Sequence, residues 1–326
     1  MPLRLAAFAA AALAAAPALA QDGAGAPFPS RPVTMLVGFA PGGGTDILAR
    51  LLAPRLSEAL GQPVAVENRT GGGGTIAAAA VVRARPADGH VVNLGTLSNH
   101  AQAPLAMRPP PFDPVRDVTP ILLVATVPMV VTVPAASPAR DLPGFVAHAR
   151  ANPGRLNFAS NGVGTTQHLA GVLLMQATGI EMVHVPYRGS GQVVTDLAAG
   201  VVDVNVDTLP SVLGHIRDRR LRGLAVTTAG RSPRLPEAPT VAESGVPGYD
   251  ITLWYMLFGP AGMPEAAAGR WAAALNAALA DPDLRRRVGE AGFDAGGGMP
   301  SDAAALLRAE VARWGEVIGR AGIRLE

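Results

Sequence analysis

The chain has 326 residues, with 27 Lys plus Arg against 25 Asp plus Glu, no cysteine and 4% aromatic residues. Without cysteine there is no disulfide framework, no thiolate chemistry and no lipid on an N-terminal Cys. A formal net charge of +2, with every base an arginine and few aromatics to stack on, argues against nucleic-acid binding.

Arg4, an Ala/Leu run and the small-x-small site Ala18-Leu19-Ala20 before Gln21 predict a cleaved secretory signal peptide over 1–20. The run is short and alanine is only weakly apolar, so it reads as a leader rather than an anchor. The protein is therefore expected to be exported to the periplasm. About 300 residues remain, more than one core normally serves, so two lobes are expected.

The apolar run of Val33, Met35, Leu36 and Val37 reads as a buried strand. It breaks at Pro41-Gly42-Gly43-Gly44, and an amphipathic helix starts at Thr45-Asp46. Glycines let the backbone approach a ligand, and the helix start supplies unpaired N–H groups and a positive dipole end. That combination is an anion seat. It is neither a phosphate P-loop, which needs a lysine, nor a dinucleotide fingerprint, whose glycine spacing differs.

A second strand follows at 64–66, then a glycine run at 71–74, a helix over 76–85 and a strand over 91–95. This alternation predicts parallel sheets with helices on both faces. Pro54 falls inside the first helix and is expected to kink it. A Pro-rich stretch, 108–114, leads into an apolar segment over 121–133, interrupted by Pro128, which is read as the first crossing between lobes.

A second series of strands and helices runs from 142 to 227. Within it, Ser160-Asn161-Gly162-Val163-Gly164-Thr165-Thr166 repeats the strand, glycine turn and helix start of the first lobe. The strand over 251–258 is read as the second crossing, and two C-terminal helices close the chain. On the last, Ala305, Leu306, Ala309, Val311 and Trp314 are expected to face the core. Two such helix starts can face each other across a cleft at the carboxyl ends of the strands, where α/β sheets bind ligands.

Taken together and in order, F-A-P-G-G-G-T-D-I-L-A-R-L-L (39–52), G-Q-P-V-A-V-E-N-R (61–69), F-D-P-V-R-D (112–117), H-V-P-Y-R-G-S (184–190), the segment 224–245 and A-G-I (321–323) resemble the solute-binding proteins of tripartite tricarboxylate transporters, the Bug receptor family. The resemblance covers essentially the whole chain after the leader. It implies a bilobed periplasmic-binding-protein fold of type II, two parallel-sheet lobes joined by two crossover strands. The lobes are expected at 28–125 plus 254–326 and at 126–253.

It also implies a small carboxylate ligand and delivery to integral-membrane permease subunits not driven by an ATP-binding subunit. No enzyme activity and no cofactor are expected, and the receptor is expected to be a monomer. The first-lobe ligand loop would include Phe39, Ala40, Gly43, Gly44, Thr45 and Asp46, joined by Thr96, Ser98 and Asn99. In the second lobe Ser160, Asn161, Gly164, Thr165 and Thr166 would cap the carboxylate, with His168, Tyr187 and Asp207 nearby. The chain departs from the family pattern at Leu97 and at Val206-Asp207-Thr208, so ligand identity transfers least.

Each of these residues also has a plain structural role open to it. Thr45, Asp46, Thr165 and Thr166 are good helix caps, and His168 sits on an apolar helix beside Leu169 and Leu173. Tyr187 ends a strand, which favours the cleft over the core. Asp207 either caps the helix after it or accepts from a ligand amine or hydroxyl. The histidines lack metal-ligand spacing and H-E-x-x-H is absent, so no metal is expected. A hydrolase would need a nucleophile elbow, and no G-x-S-x-G occurs. A ligand sensor reporting to a membrane kinase stays open beside the transport receptor.

Overall fold

The structure is a computed structural model that describes residues 28–321 and 323. The predicted signal peptide lies outside the described residues.

The first strand, β1 (Val33–Val37), runs into helix α1 (Gly44–Leu60). Leu48, Leu52, Leu56 and Leu60 make one buried stripe on α1, and Gly61 ends it in the left-handed conformation, φ 73°. The helix continues through Pro54 with no break in its assignment. Strands β2 (Val64–Asn68) and β3 (Val91–Thr96) pair parallel to β1, with α2 (Thr75–Val82) between them. After β3 comes a π-turn over Ser98–Gln102 that leads into the short α3 (Ala103–Ala106).

The crossing is carried by β4 (Val118–Pro134). Its first half pairs antiparallel with β9 (Thr252–Pro260), and its second half pairs antiparallel with β7 (Val204–Thr208) and β8 (Leu221–Val226). Pro128 is the last residue paired to β9, and Met129 the first paired to β7. A residue without an N–H fits where a strand changes partners.

The second lobe contains α4 (Leu142–Ala151), β5 (Asn157–Ser160), α5 (Thr166–Thr178), β6 (Val183–Pro186), α6 (Ser190–Ala198) and α7 (Leu209–Arg217). The strand order is β2-β1-β3-β9-β4-β7-β5-β6. The arrangement is the expected two-lobe α/β fold, with one amendment: each sheet is mixed. The outer strands β2-β1-β3 and β6-β5-β7 are parallel, whereas the crossing strands arrive from the opposite lobe and pair antiparallel.

The C-terminus also differs from expectation. Three helices are present, α8 (Glu265–Ala280), α9 (Pro282–Glu290) and α10 (Pro300–Arg320), with the short β10 (Asp294–Ala295) pairing to β4. Asp281 separates the first two by capping α9, its side chain accepting from the Leu284 N–H. On α10 the buried stripe is Ala303, Leu307, Trp314 and Ile318, while Ala305 and Ala309 are exposed. Alanines are too small to mark the core face by periodicity alone. Among the described residues no helix is long and apolar enough to cross a membrane.

Candidate functional site

Both halves of the chain build one small cavity. From the first come Phe39, Gly43, Gly44 and Thr45 at the start of α1, and Thr96 and Ser98 after β3. From the second come Asn161, Gln167 on α5, Ser190 at the start of α6 and Thr208, the residue that precedes α7. Leu253 and Tyr255 of β9 close it from the crossing strand. The free space is about 10 Å3. A wider outer chamber of about 450 Å3 shares Phe39 and Asn161 with it and is also lined by Gly71 to Gly74, Met107, Gly162, Val163, Tyr187 and Arg188.

The cavity wall carries hydroxyl, amide, aromatic and aliphatic side chains. The N-termini of α1, α6 and α7 converge on it, each carrying a partial positive charge. No carboxylate side chain lines it. Hydrogen bonds tie its two sides together. The Ala40 N–H donates to the Arg188 carbonyl at 3.2 Å, the Thr166 N–H to Ser98 Oγ at 2.9 Å and the Gly44 N–H to Ser211 Oγ at 3.0 Å.

Several expected ligand residues line neither cavity. Asp46 accepts from the Gly42 N–H, from Arg50 and from Asn68. Burial pulls its carboxyl upward, but these bonds outweigh burial and hold it below the usual range. Asn99 braces the turn by accepting from the Thr96 N–H at 2.7 Å and donating to the Gly74 carbonyl. Thr165 caps α5, accepting from the His168 N–H at 3.3 Å. The Thr166 hydroxyl donates to Gln102 Oε1.

Behind this turn, His168 and His184 stack with ring centroids 4.1 Å apart. His168 Nδ1 accepts from the Gly164 N–H, and His184 Nε2 lies 2.6 Å from Ser160 Oγ. Burial, then the neighbouring His168, pushes His184 down to about 4. Tyr187 borders the outer chamber, its hydroxyl donating to Asp196; burial and that carboxylate push its pKa up to about 12.

Asp207 is completely buried and lines neither cavity. It accepts from Ser190 Oγ at 2.9 Å, from the Thr208 N–H at 2.7 Å and from Gln167 Nε2 at 3.4 Å. Burial pushes its carboxyl up to about 6, against the pull of those bonds.

Five lining residues were not foreseen: Gln167, Ser190, Thr208, Leu253 and Tyr255. Ser190 had a signal, since Gly189-Ser190 repeats the glycine-then-helix device of the first lobe. Leu253 and Tyr255 lay hidden in a strand apolar on both faces. Among the described residues no three His, Cys, Asp or Glu could hold a metal ion.

Two α/β lobes joined by crossing strands, with helix N-termini converging between them, have the architecture of a solute-binding protein. Residues 48–323 match the model of the tripartite tricarboxylate transporter family receptor. The "UPF0065 protein in tcbD-tcbE intergenic region" of Pseudomonas sp. (strain P51) is 42% identical over 292 residues, 89% of this chain and 86% of its own length. The structure of R. palustris Rpa4515 with adipate aligns with a TM-score of 0.87 and 39% identity, covering 91% of this chain and 99% of that one. MatC (Rpa3494) from Rhodopseudomonas palustris with bound malate aligns with a TM-score of 0.86 and 32% identity, over 89% and 100%. The chain belongs to the tripartite tricarboxylate transporter receptor family, whose members bind solutes rather than transform them.

Proposed function

We propose that this is an exported receptor that captures a small carboxylate between its lobes and hands it to the integral-membrane permease subunits of a tripartite tricarboxylate transporter. The observation that carries this reading is the convergence of three helix N-termini on a cavity without an acidic side chain. Each N-terminus is worth about 0.3–1 kcal/mol to an anion, and up to about 2 where partly buried. Charge-assisted hydrogen bonds add about 1.5–3 kcal/mol each. Together they offset the several kcal/mol that a carboxylate loses on leaving water.

The relatives support the same class of ligand, since Rpa4515 was solved with adipate and MatC with malate. Gly43, Gly44, Thr45, Thr96 and Ser98 form the first-lobe half of the seat; Asn161, Ser190 and Thr208 form the second. The first lobe is 28–125 plus 254–326 and the second 126–253. In support, the pairing of Ala125 with Tyr255 precedes the changeover of β4 at Pro128. Residues 1–20 act as the leader, so the mature chain starts at Gln21.

Mass spectrometry of small molecules released from freshly purified protein tests the reading. A small organic acid, returned unchanged on re-incubation, is expected; a neutral ligand or a converted one overturns it. Deleting the gene should abolish uptake of that acid.

A further inference from the structure

Asp207 stands one hydroxyl behind the cavity wall. It is completely buried, and the groups that bond it are neutral: Ser190 Oγ at 2.9 Å, the Thr208 N–H at 2.7 Å and Gln167 Nε2 at 3.4 Å. The elements packed around it present uncharged groups to it. α5 offers Gln167, with His168 turned to its stack on His184, and α6 offers Ser190, with its Asp196 taken by Tyr187. β7 adds Asn205 and Thr208, and β4 meets Asp207 at Val130. α1 reaches Thr208 through Gly44, while its Asp46 is bonded to Arg50 and Asn68. On α7 the ionisable residues, His215 and Arg217, lie in the last turn, and burial pushes the Tyr255 hydroxyl of β9 up, which keeps it protonated.

Ser190 lines the inner cavity, and its single hydroxyl proton is committed to Asp207 Oδ1, while its oxygen accepts from Asn161 Nδ2 at 2.8 Å. A ligand carboxylate at Ser190 would meet lone pairs, two hydrogen bonds or about 6 Å from a second negative charge. One proton removes both conflicts. Placed on Asp207 Oδ1, it is donated to Ser190 Oγ and releases the Ser190 hydrogen toward the ligand. The starts of α6 and α7, which stabilise the Asp207 charge in the free protein through Ser190 and the Thr208 N–H, then serve the ligand instead. We propose that Asp207 is a positioning residue that takes up a proton as the carboxylate binds, so that the receptor captures the anion and one proton together. This rests on the carboxylate-receptor reading above. The proton comes from solvent, and no covalent bond of the ligand changes.

The test is calorimetry with a panel of malate, succinate and adipate between about pH 7 and 8, where such acids are already ionised. Asp207 is ionised there in the free protein, since it titrates at about 6. Repeating each titration in buffers of different ionisation enthalpy counts the protons. At least one acid should bind with close to one proton taken up, and its affinity should weaken by up to about tenfold per pH unit. Asp207→Asn, an uncharged mimic of the same shape, should bind that acid with no proton uptake and a flat pH profile. Its affinity at the upper pH should be no weaker than that of the wild type, whereas a residue that only packs would weaken binding when replaced. Binding to the wild type without proton uptake overturns the proposal, whether or not the variant folds, and leaves the carboxylate receptor standing. Uptake that persists in Asp207→Asn, or weaker binding by the folded variant at the upper pH, overturns it too. Failure of every acid to bind the wild type sinks both readings together.

Discussion

The Gly44 N–H donates to Ser211 Oγ at 3.0 Å across 167 positions of sequence, and Ser211 Oγ in turn lies 2.8 Å from Thr208 Oγ1. The start of α1 is thereby pinned to the start of α7. The start of α1 is therefore in contact with α7, whereas the start of α5 is held by Ser98. Bringing two positive helix ends together costs electrostatic energy unless an anion or a hydroxyl lies between them.

Gly44 is the position where this approach depends on the absence of a side chain. A Cβ there would lie 2.5 Å from the Tyr255 hydroxyl and 2.9 Å from Thr208 Oγ1, whereas at Gly43 the nearest atom is 3.5 Å away. Gly44→Ala should destabilise this packing by about 1–3 kcal/mol and weaken every ligand alike. Calorimetry should show that loss, and the melting temperature of the unliganded protein should fall with it, because the same atoms crowd position 44 without ligand. Unchanged affinity and melting temperature in this variant would show that a side chain is tolerated at position 44.

Ser98→Ala should act on the other contact between the two sides of the cavity. It leaves the buried Thr166 N–H without its acceptor, a loss of about 1–3 kcal/mol. Binding should weaken by about tenfold or more, without change in ligand preference. Calorimetry on the ligand panel checks this, and a changed preference would show that Ser98 discriminates between ligands.

Stability should respond to acid through two groups of opposite sign. His184 titrates at about 4 in the folded protein against a usual 6.5. Its contribution is whole above 6.5 and is lost as pH falls toward 4, because only the unfolded chain takes up the proton in that window. Asp207 titrates at about 6 against a usual 3.8. Its burial is tolerated best below 3.8, and it subtracts stability as pH rises from there to 6. Urea unfolding at a series of pH values should therefore show His184→Asn flattening the acid loss and Asp207→Asn steepening it. Parallel profiles for wild type and both variants would show that neither group is perturbed.

Much of the frame could be read from residues. Val33–Val37, the glycines after it and the leucine stripe of α1 announce strand, turn and helix locally, and the Ser160–Thr166 segment repeats the pattern. The apolar run over 121–133 marked the crossing strand, and the proline interrupting it, Pro128, sits where that strand changes partners. Strand direction was not legible, since β4 and β9 pair antiparallel because they cross between the lobes in opposite directions. Asn161 was foreseen in the wall, but Gln167 and Ser190 acquire their meaning from Asp207, a partner distant in sequence. Thr165, Asp46 and Asn99 were expected at the ligand, and their side chains are engaged within the turns beside the cavity; sequence does not separate the two roles, because the groups that suit a helix start also suit an anion.

The central claim is that the cavity between the lobes holds an anion at converging helix N-termini. Calorimetry of the acid recovered from the protein against its own primary amide tests it most directly. The acid should bind with an affinity near micromolar, about −8 kcal/mol, and the amide, equal in shape but uncharged, should give no measurable heat. Equal affinity for acid and amide would contradict the account.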